Sequence, residues 1–204
     1  MEVIFGIKAG LKKLKKDMFI LTTIIAQNTK KTKRVIHMEF EVLSRSNAKR
    51  LSYKPNIKDC IIISITDFGS NPNQFAENPH IKNVIKLQFD DVDFNDNNCI
   101  TKTDGKKIID FVNRYVNKVD KIIVHCEAGV SRSAGVCAAL MHIINGDDSP
   151  IFNNPKFCPN MACYRTVMEA YYDFYNEEEA KSKIVRNIKL WKMANELDNH
   201  EVYE

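Results

Sequence analysis

Two short apolar runs restrict this 204-residue chain more than any other feature. Cys60–Ile65 reads C-I-I-I-S-I, and Lys121–Val124 reads K-I-I-V before His125-Cys126. Neither run alternates apolar with polar residues, so neither fits a strand with one wet face. Near-continuous Ile and Val mark strands covered on both faces, which is characteristic of parallel sheets packed between helices. Val84–Phe89 reads as a further strand, and the weakly alternating Glu39–Leu43 as an edge strand. Ser44–Ser52 has the makings of a short helix. Thr101 and Asp104 have capping-box spacing, and Ile108, Val112, Tyr115 and Val119 follow at helical intervals. Ser131–Ile144, rich in Ala and other apolar residues, predicts a buried helix. Asn160 is placed to cap a helix with Tyr164, Val167, Met168, Tyr171 and Tyr175 on one face. Glu177–Leu197 reads as a final amphipathic helix, with Glu177–Glu179 as its acidic first turn and Ile184, Ile188 and Trp191 on one stripe. Asp67–Pro79 and Asn145–Pro159 read as loops. The expectation is a single α/β domain. Its mostly parallel central sheet has four to five strands and helices on both faces, with the site at the carboxyl end of the Lys121–Val124 strand.

Residues 1–37 differ from the rest. They carry nine of the 30 basic residues, eight of them in two clusters around the apolar stretch Met18–Ala26. Lysines before a short apolar run have the outline of a signal peptide, but Asp17 breaks the junction and no small-residue cleavage site follows. We read this segment as a basic N-terminal extension, with a basic membrane-surface helix as the alternative. Met38, where the α/β pattern begins, is an alternative start. The expected organisation is an extension over 1–37, the main α/β domain over 38–176, and a helix and tail over 177–204. Net charge is +4. That excess is too small to call for a nucleic-acid partner, and without the extension the core is closer to neutral. No apolar run approaches the ~20 residues of a membrane helix, so stable insertion is not expected. Six Cys without a C-x-x-C pair suit neither a disulfide scaffold nor a zinc site. Reduced thiols in a cytoplasmic protein are the expectation.

The segment Ile122–Gly135, I-I-V-H-C-E-A-G-V-S-R-S-A-G, is where the chemistry concentrates. Cys126 stands where a buried strand ends, and the loop Glu127, Ala128, Gly129, Val130, Ser131, Arg132 feeds directly into a helix. Successive amides of such a loop form an anion nest, and the helix start adds its positive dipole end. Both favour a bound dianion and a thiolate at Cys126. Gly129 supplies a small residue where the backbone bends close to a ligand. The Arg132 fork can hold two phosphate oxygens at once. Ser133 is placed to donate to the sulfur, and His125 to orient the loop and support the thiolate. Together these suit attack on a phosphate by a thiolate, with no metal or organic cofactor.

H-C-x-x-G-x-S-R-S at His125–Ser133 resembles the signature loop of the cysteine-based protein tyrosine phosphatases, and its A-G-V-S-R-S ending looks most like the dual-specificity branch. The resemblance spans roughly Met38–Tyr175. It implies the phosphotyrosine phosphatase fold and a phosphocysteine intermediate. It also implies a general acid Asp from a loop after a strand, some thirty residues before the Cys. Asp90, Asp91 and Asp93 all qualify, and Asp90 fits the pattern best. The resemblance also implies that Asn160 hydrogen-bonds behind the signature loop; a plain helix cap is the simpler reading. Cys137, Cys158 and Cys163 are candidate oxidation partners for Cys126, read more simply as core thiols. His142 reads as a core histidine; His37, His80 and His200 form no ligand set. The implied substrate is a phosphorylated protein rather than a more highly charged molecule, because the loop carries no lysine and Glu127 adds a negative charge; phosphotyrosine is favoured, with phosphoserine/threonine also open. A phosphoinositide or an RNA 5′-phosphate is the alternative, as is a phosphate-binding module without turnover. Rhodanese-type sulfur transfer is disfavoured by the S-R-S ending. The sequence carries no sign of oligomeric state.

Overall fold

The computed structural model describes residues 38–92 and 96–198, with side chains of the last helix described through Ser182 and at Val185. The readings placed on residues 1–37, Asp93 and His200, and on the side chains of Ile184, Ile188 and Trp191, lie outside the described residues.

Four strands form one sheet: β1 (Glu39–Ser44), β2 (Cys60–Thr66), β3 (Ile81–Gln88) and β4 (Lys121–Cys126). Their order is β1-β4-β2-β3, and every pair is parallel. The two Ile-rich runs therefore occupy the interior positions. Their lack of alternation has a simple cause. Ile61, Ile63, Ile65, Ile122 and Val124 enter one core, while Cys60, Ile62 and Ile123 enter a second core on the opposite face. Full burial of one such side chain contributes about 1.5–3 kcal/mol.

The helices divide unequally between the faces. The larger core lies under α2 (Lys102–Tyr115), α3 (Arg132–Asn145) and the first half of α5 (Met161–Asp198). The smaller core gathers Leu51 of α1 (Arg45–Ser52) with Ile57 and Phe75 from the connecting loops. The capping box forms as its spacing predicts: Thr101 Oγ1 accepts from Asp104 N at 3.2 Å, and Thr101 N donates back to Asp104 Oδ2 at 3.1 Å. Where α3 crosses α5 the space is filled to the backbone, because a Cβ on Gly135 would overlap the carbonyl oxygen of Asn160.

Three expectations need correction. The loop Asn145–Pro159 contains a short helix, α4 (Ser149–Phe152), with Pro150 in its first turn. The two late helices are one, since no Gly or Pro interrupts Met161–Asp198, and Glu177–Glu179 lie within it rather than at a first turn. His142 is not a core residue: its ring is 46% exposed, with Nδ1 3.3 Å from Asp148 Oδ2.

Candidate active site

The site begins where β4 ends. Parallel pairing sets Ser64 of β2 opposite His125, and Ser44 of β1 opposite Cys126. The loop 127–131 then turns into α3. Its carbonyls are taken up from outside: Arg45 N donates to Glu127 O, Cys158 N to Val130 O, and Asn160 N to Ser131 O, at 3.0–3.2 Å. With those oxygens held outward, the amides of the loop face inward as a nest. Gly129 makes the turn at φ +73°, and a Cβ there would sit 2.5 Å from Leu43 C and Ser44 N. The end of β1 is thus the floor of the loop, and only glycine fits against it.

Cys126 lies at the base of this ring. Its Sγ accepts from Gly129 N at 3.3 Å and is 3.0 Å from Ser133 Oγ. Burial alone raises a thiol, but the Ser133 hydroxyl and the amides of Ser133, Gly129 and Val130 outweigh it, and the Cys126 thiol is held below its ordinary value. The side chain of Ser131 does not cap α3. Its hydroxyl donates instead to Asp91 Oδ1 at 2.8 Å, leaving the first amides of the helix for an anion.

His125 plays a different part from the one its position suggests. Burial pushes its imidazole down to about 4, so the ring is neutral near pH 7 and carries no charge to the sulfur. Nδ1 faces the Cys126 carbonyl at 3.3 Å, which only accepts, so Nδ1 carries the proton and Nε2 accepts from Ser64 Oγ at 2.8 Å. Ser64, the one polar residue inside the Ile run, escaped the sequence reading; its interruption of that run was the available signal.

Arg132 is 5% exposed. Its Nη1 donates to Phe89 O at 2.8 Å and lies 2.6 Å from Asp67 Oδ1. Asp67 was also missed. It directly follows β2, the neighbour of β4, and residues just past the carboxyl ends of parallel strands border the site.

The described acid candidates have different partners. Asp90 is engaged with the loops: Oδ1 accepts from Phe68 N at 2.9 Å and Oδ2 from Asn98 Nδ2 at 3.2 Å. Asp91 faces the signature loop through Ser131. Asn160 is the helix cap of the simpler reading, and its side chain reaches the loop after β3, while its backbone N is what meets the signature loop at Ser131 O. Its Oδ1 accepts from Cys163 N at 2.9 Å as the cap of α5, while its Nδ2 donates to Asp91 Oδ1 at 2.9 Å and to Val92 O at 3.1 Å. Glu127 turns its carboxylate away to Arg45, 2.7 Å from Nη1. Of the other thiols, Cys137 and Cys163 are buried and raised by that burial, and Cys158 is exposed.

A family model of the dual specificity phosphatase catalytic domain matches residues 43–200. The chain belongs to this family. The match to the dual-specificity phosphatase domain continues through α5, farther than the motif-based resemblance reached. No curated protein sequence matches the chain. Solved structures that resemble this dual-specificity phosphatase domain include human DUSP28, at 14% identity over 70% of this chain and 97% of that one with a TM-score of 0.47. PTPMT1 is 18% identical over 71% and 97%, with a TM-score of 0.42. A human tyrosine phosphatase-like serine/threonine/tyrosine-interacting protein is 20% identical over 57% and 78%, also at 0.42.

Proposed function

We propose that this domain hydrolyses phosphate monoesters on proteins, phosphotyrosine first, through a phosphocysteine on Cys126. The observation that carries this reading is the ring of inward amides around a lowered thiol, with the buried Arg132 beside it. The Cys126 thiolate attacks phosphorus in line with the ester oxygen. A P–S bond forms as the P–O bond breaks, and charge on the equatorial oxygens is met by the loop amides and Arg132. The departing oxygen takes a proton from Asp91. We assign this role to Asp91 rather than Asp90, because both Asp90 oxygens are occupied by the loops whereas Asp91 stands against the signature loop. Oδ1 of Asp91 receives both hydrogen bonds, which leaves Oδ2 to carry the proton. In the second step the Asp91 carboxylate accepts a proton from water as water attacks phosphorus. Ser133 donates to Sγ as the P–S bond breaks.

Substrate charge follows from the rim. Asp67 and Asp91 set their carboxylates against Arg132 and the signature loop, and that loop holds no lysine. Such a mouth favours a single monoester over a densely charged phosphoinositide or RNA 5′-phosphate. A thiolate nucleophile also needs a reducing compartment, in keeping with a cytoplasmic location. Hydrolysis of p-nitrophenyl phosphate in EDTA, abolished in Cys126→Ser, is the expected result. Undiminished activity in that variant would remove the nucleophile, and phosphopeptide binding without release would make the domain a binding module.

A further inference from the structure

The guanidinium of Arg132 is pinned on one side and open on the other. Nη1 carries two hydrogens and has two acceptors, Phe89 O at 2.8 Å and Asp67 Oδ1 at 2.6 Å. Nε is the opposite case: it is fully buried and has no hydrogen-bond partner. Leaving a buried N–H unpaired costs about 1–3 kcal/mol, so an orphan in a nest of amides marks a place for an acceptor from outside. The Nε–Nη2 edge is the one a guanidinium presents side-on to two oxygens of a phosphate.

A single carbonyl on Nη1 leaves the plane of the guanidinium free to roll. A second acceptor on the same nitrogen fixes it. The Asp67 side chain is 48% exposed, so packing does not hold it; neighbouring hydrogen bonds hold its loop. Ser70 N donates to Asp67 O at 3.0 Å, Phe68 N to Asp90 Oδ1 at 2.9 Å, and Gln88 Nε2 to Ser70 O. Asp67 also touches Nη1 and not Nε, so it does not occupy the edge that phosphate needs.

We propose that Asp67 is a positioning residue for Arg132, fixing the guanidinium with Phe89 O so that its Nε–Nη2 edge meets the phosphate. This rests on the reading of the Cys126 loop as a phosphate site. It also gives Asp90 a place one step back, as the residue that holds the Asp67 loop. The proposal has a natural rival. A carboxylate beside a bound dianion repels it, and a competitor in that position would weaken phosphate binding. The two ideas predict opposite signs.

The test uses the full chain, with inorganic phosphate as the competitive probe and p-nitrophenyl phosphate as substrate. Asp67→Ala is expected to raise the phosphate Ki and to lower kcat, each by about tenfold or more, the scale of a misplaced catalytic contact. Asp67→Ser, too short to reach Nη1, should match it if the alanine variant folds poorly. Asp67→Asn, whose Oδ1 still accepts from Nη1, should stay closer to the wild type. In an Arg132→Lys background the Asp67→Ala change should add less than about twofold, because the group it acts through is gone. An unchanged or lower Ki in Asp67→Ala overturns the proposal in favour of a bystander or a competitor. An equal loss in the Arg132→Lys background overturns it in favour of general loop damage. A wild-type chain that neither hydrolyses the substrate nor binds phosphate overturns the phosphatase reading and this proposal together; a normal wild type with an indifferent Asp67→Ala overturns this proposal alone.

Discussion

Asn160 Nδ2 donates to Asp91 Oδ1 at 2.9 Å, joining the residue before α5 to the loop after β3 across 69 positions of sequence. The same amide caps α5 through its oxygen, so the carboxylate is held by a group that is itself held by a helix. This holds the Asp91 carboxylate beside the signature loop, where it also meets Ser131.

The division of labour between Asp90 and Asp91 shows in the leaving group. Asp91→Asn is expected to lower kcat by about 10²-fold or more on phenyl phosphate, and by much less on p-nitrophenyl phosphate, whose phenolate leaves without a proton. Asp90→Asn should lower both rates alike and lower the melting temperature. Equal losses on the two substrates in Asp91→Asn would take the acid role from it.

Ser133→Ala removes the largest of the contacts that hold the Cys126 thiol down. The rate depends on thiolate, so it falls as pH drops through the thiol's pKa. Raising that pKa moves the fall to higher pH. The acid limb of the kcat/KM profile should therefore shift upward in Ser133→Ala, and the phosphocysteine should accumulate, visible as a burst of p-nitrophenol.

His125 gives a stability signature. Its folded value is lowered to about 4 from 6.5, so the unfolded chain binds the extra proton first as pH falls. The contribution is fully present above 6.5 and is lost progressively as pH drops toward 4, up to about 3 kcal/mol in all. Denaturant midpoints measured from pH 7 to pH 4 should follow that slope, and His125→Gln should flatten it.

Two glycines should resist substitution for different reasons. Gly129→Ala combines a left-handed φ with collision against the backbone of Leu43 and Ser44, for a loss of about 3 kcal/mol and of phosphate binding. Gly135→Ala pushes α3 off Asn160 and should reduce kcat through the Asp91 contact. Thermal melts alongside phosphate titrations separate the two.

The parts legible in the sequence were those that local pattern determines. The Ile run of β2, the Thr101–Asp104 capping box and the loop from His125 to Ser133 each announce themselves within a few residues. α4 was not legible because four residues, Ser149–Phe152, carry too little periodicity. The choice between Asp90 and Asp91 depends on partners at Phe68, Asn98, Ser131 and Asn160, none of them adjacent to the choice. Asp67 stayed hidden for the same reason: an aspartate opening a polar loop is ordinary until β2 and β4 are known to be neighbours.

The contact of Gly129 with Leu43 and Ser44 has a consequence for how this chain acquires its site. β1 is an edge strand, and it docks on β4 across about eighty residues of intervening chain. Closing so long a loop is slow and gives little return until the partner strand is in place. The signature loop is contiguous in sequence, yet its floor is not, so a chain with β2, β3 and β4 already paired would hold the nucleophile and still lack a bed for the phosphate. Recovery of activity on refolding should then trail the recovery of secondary structure, timed by the arrival of the first strand.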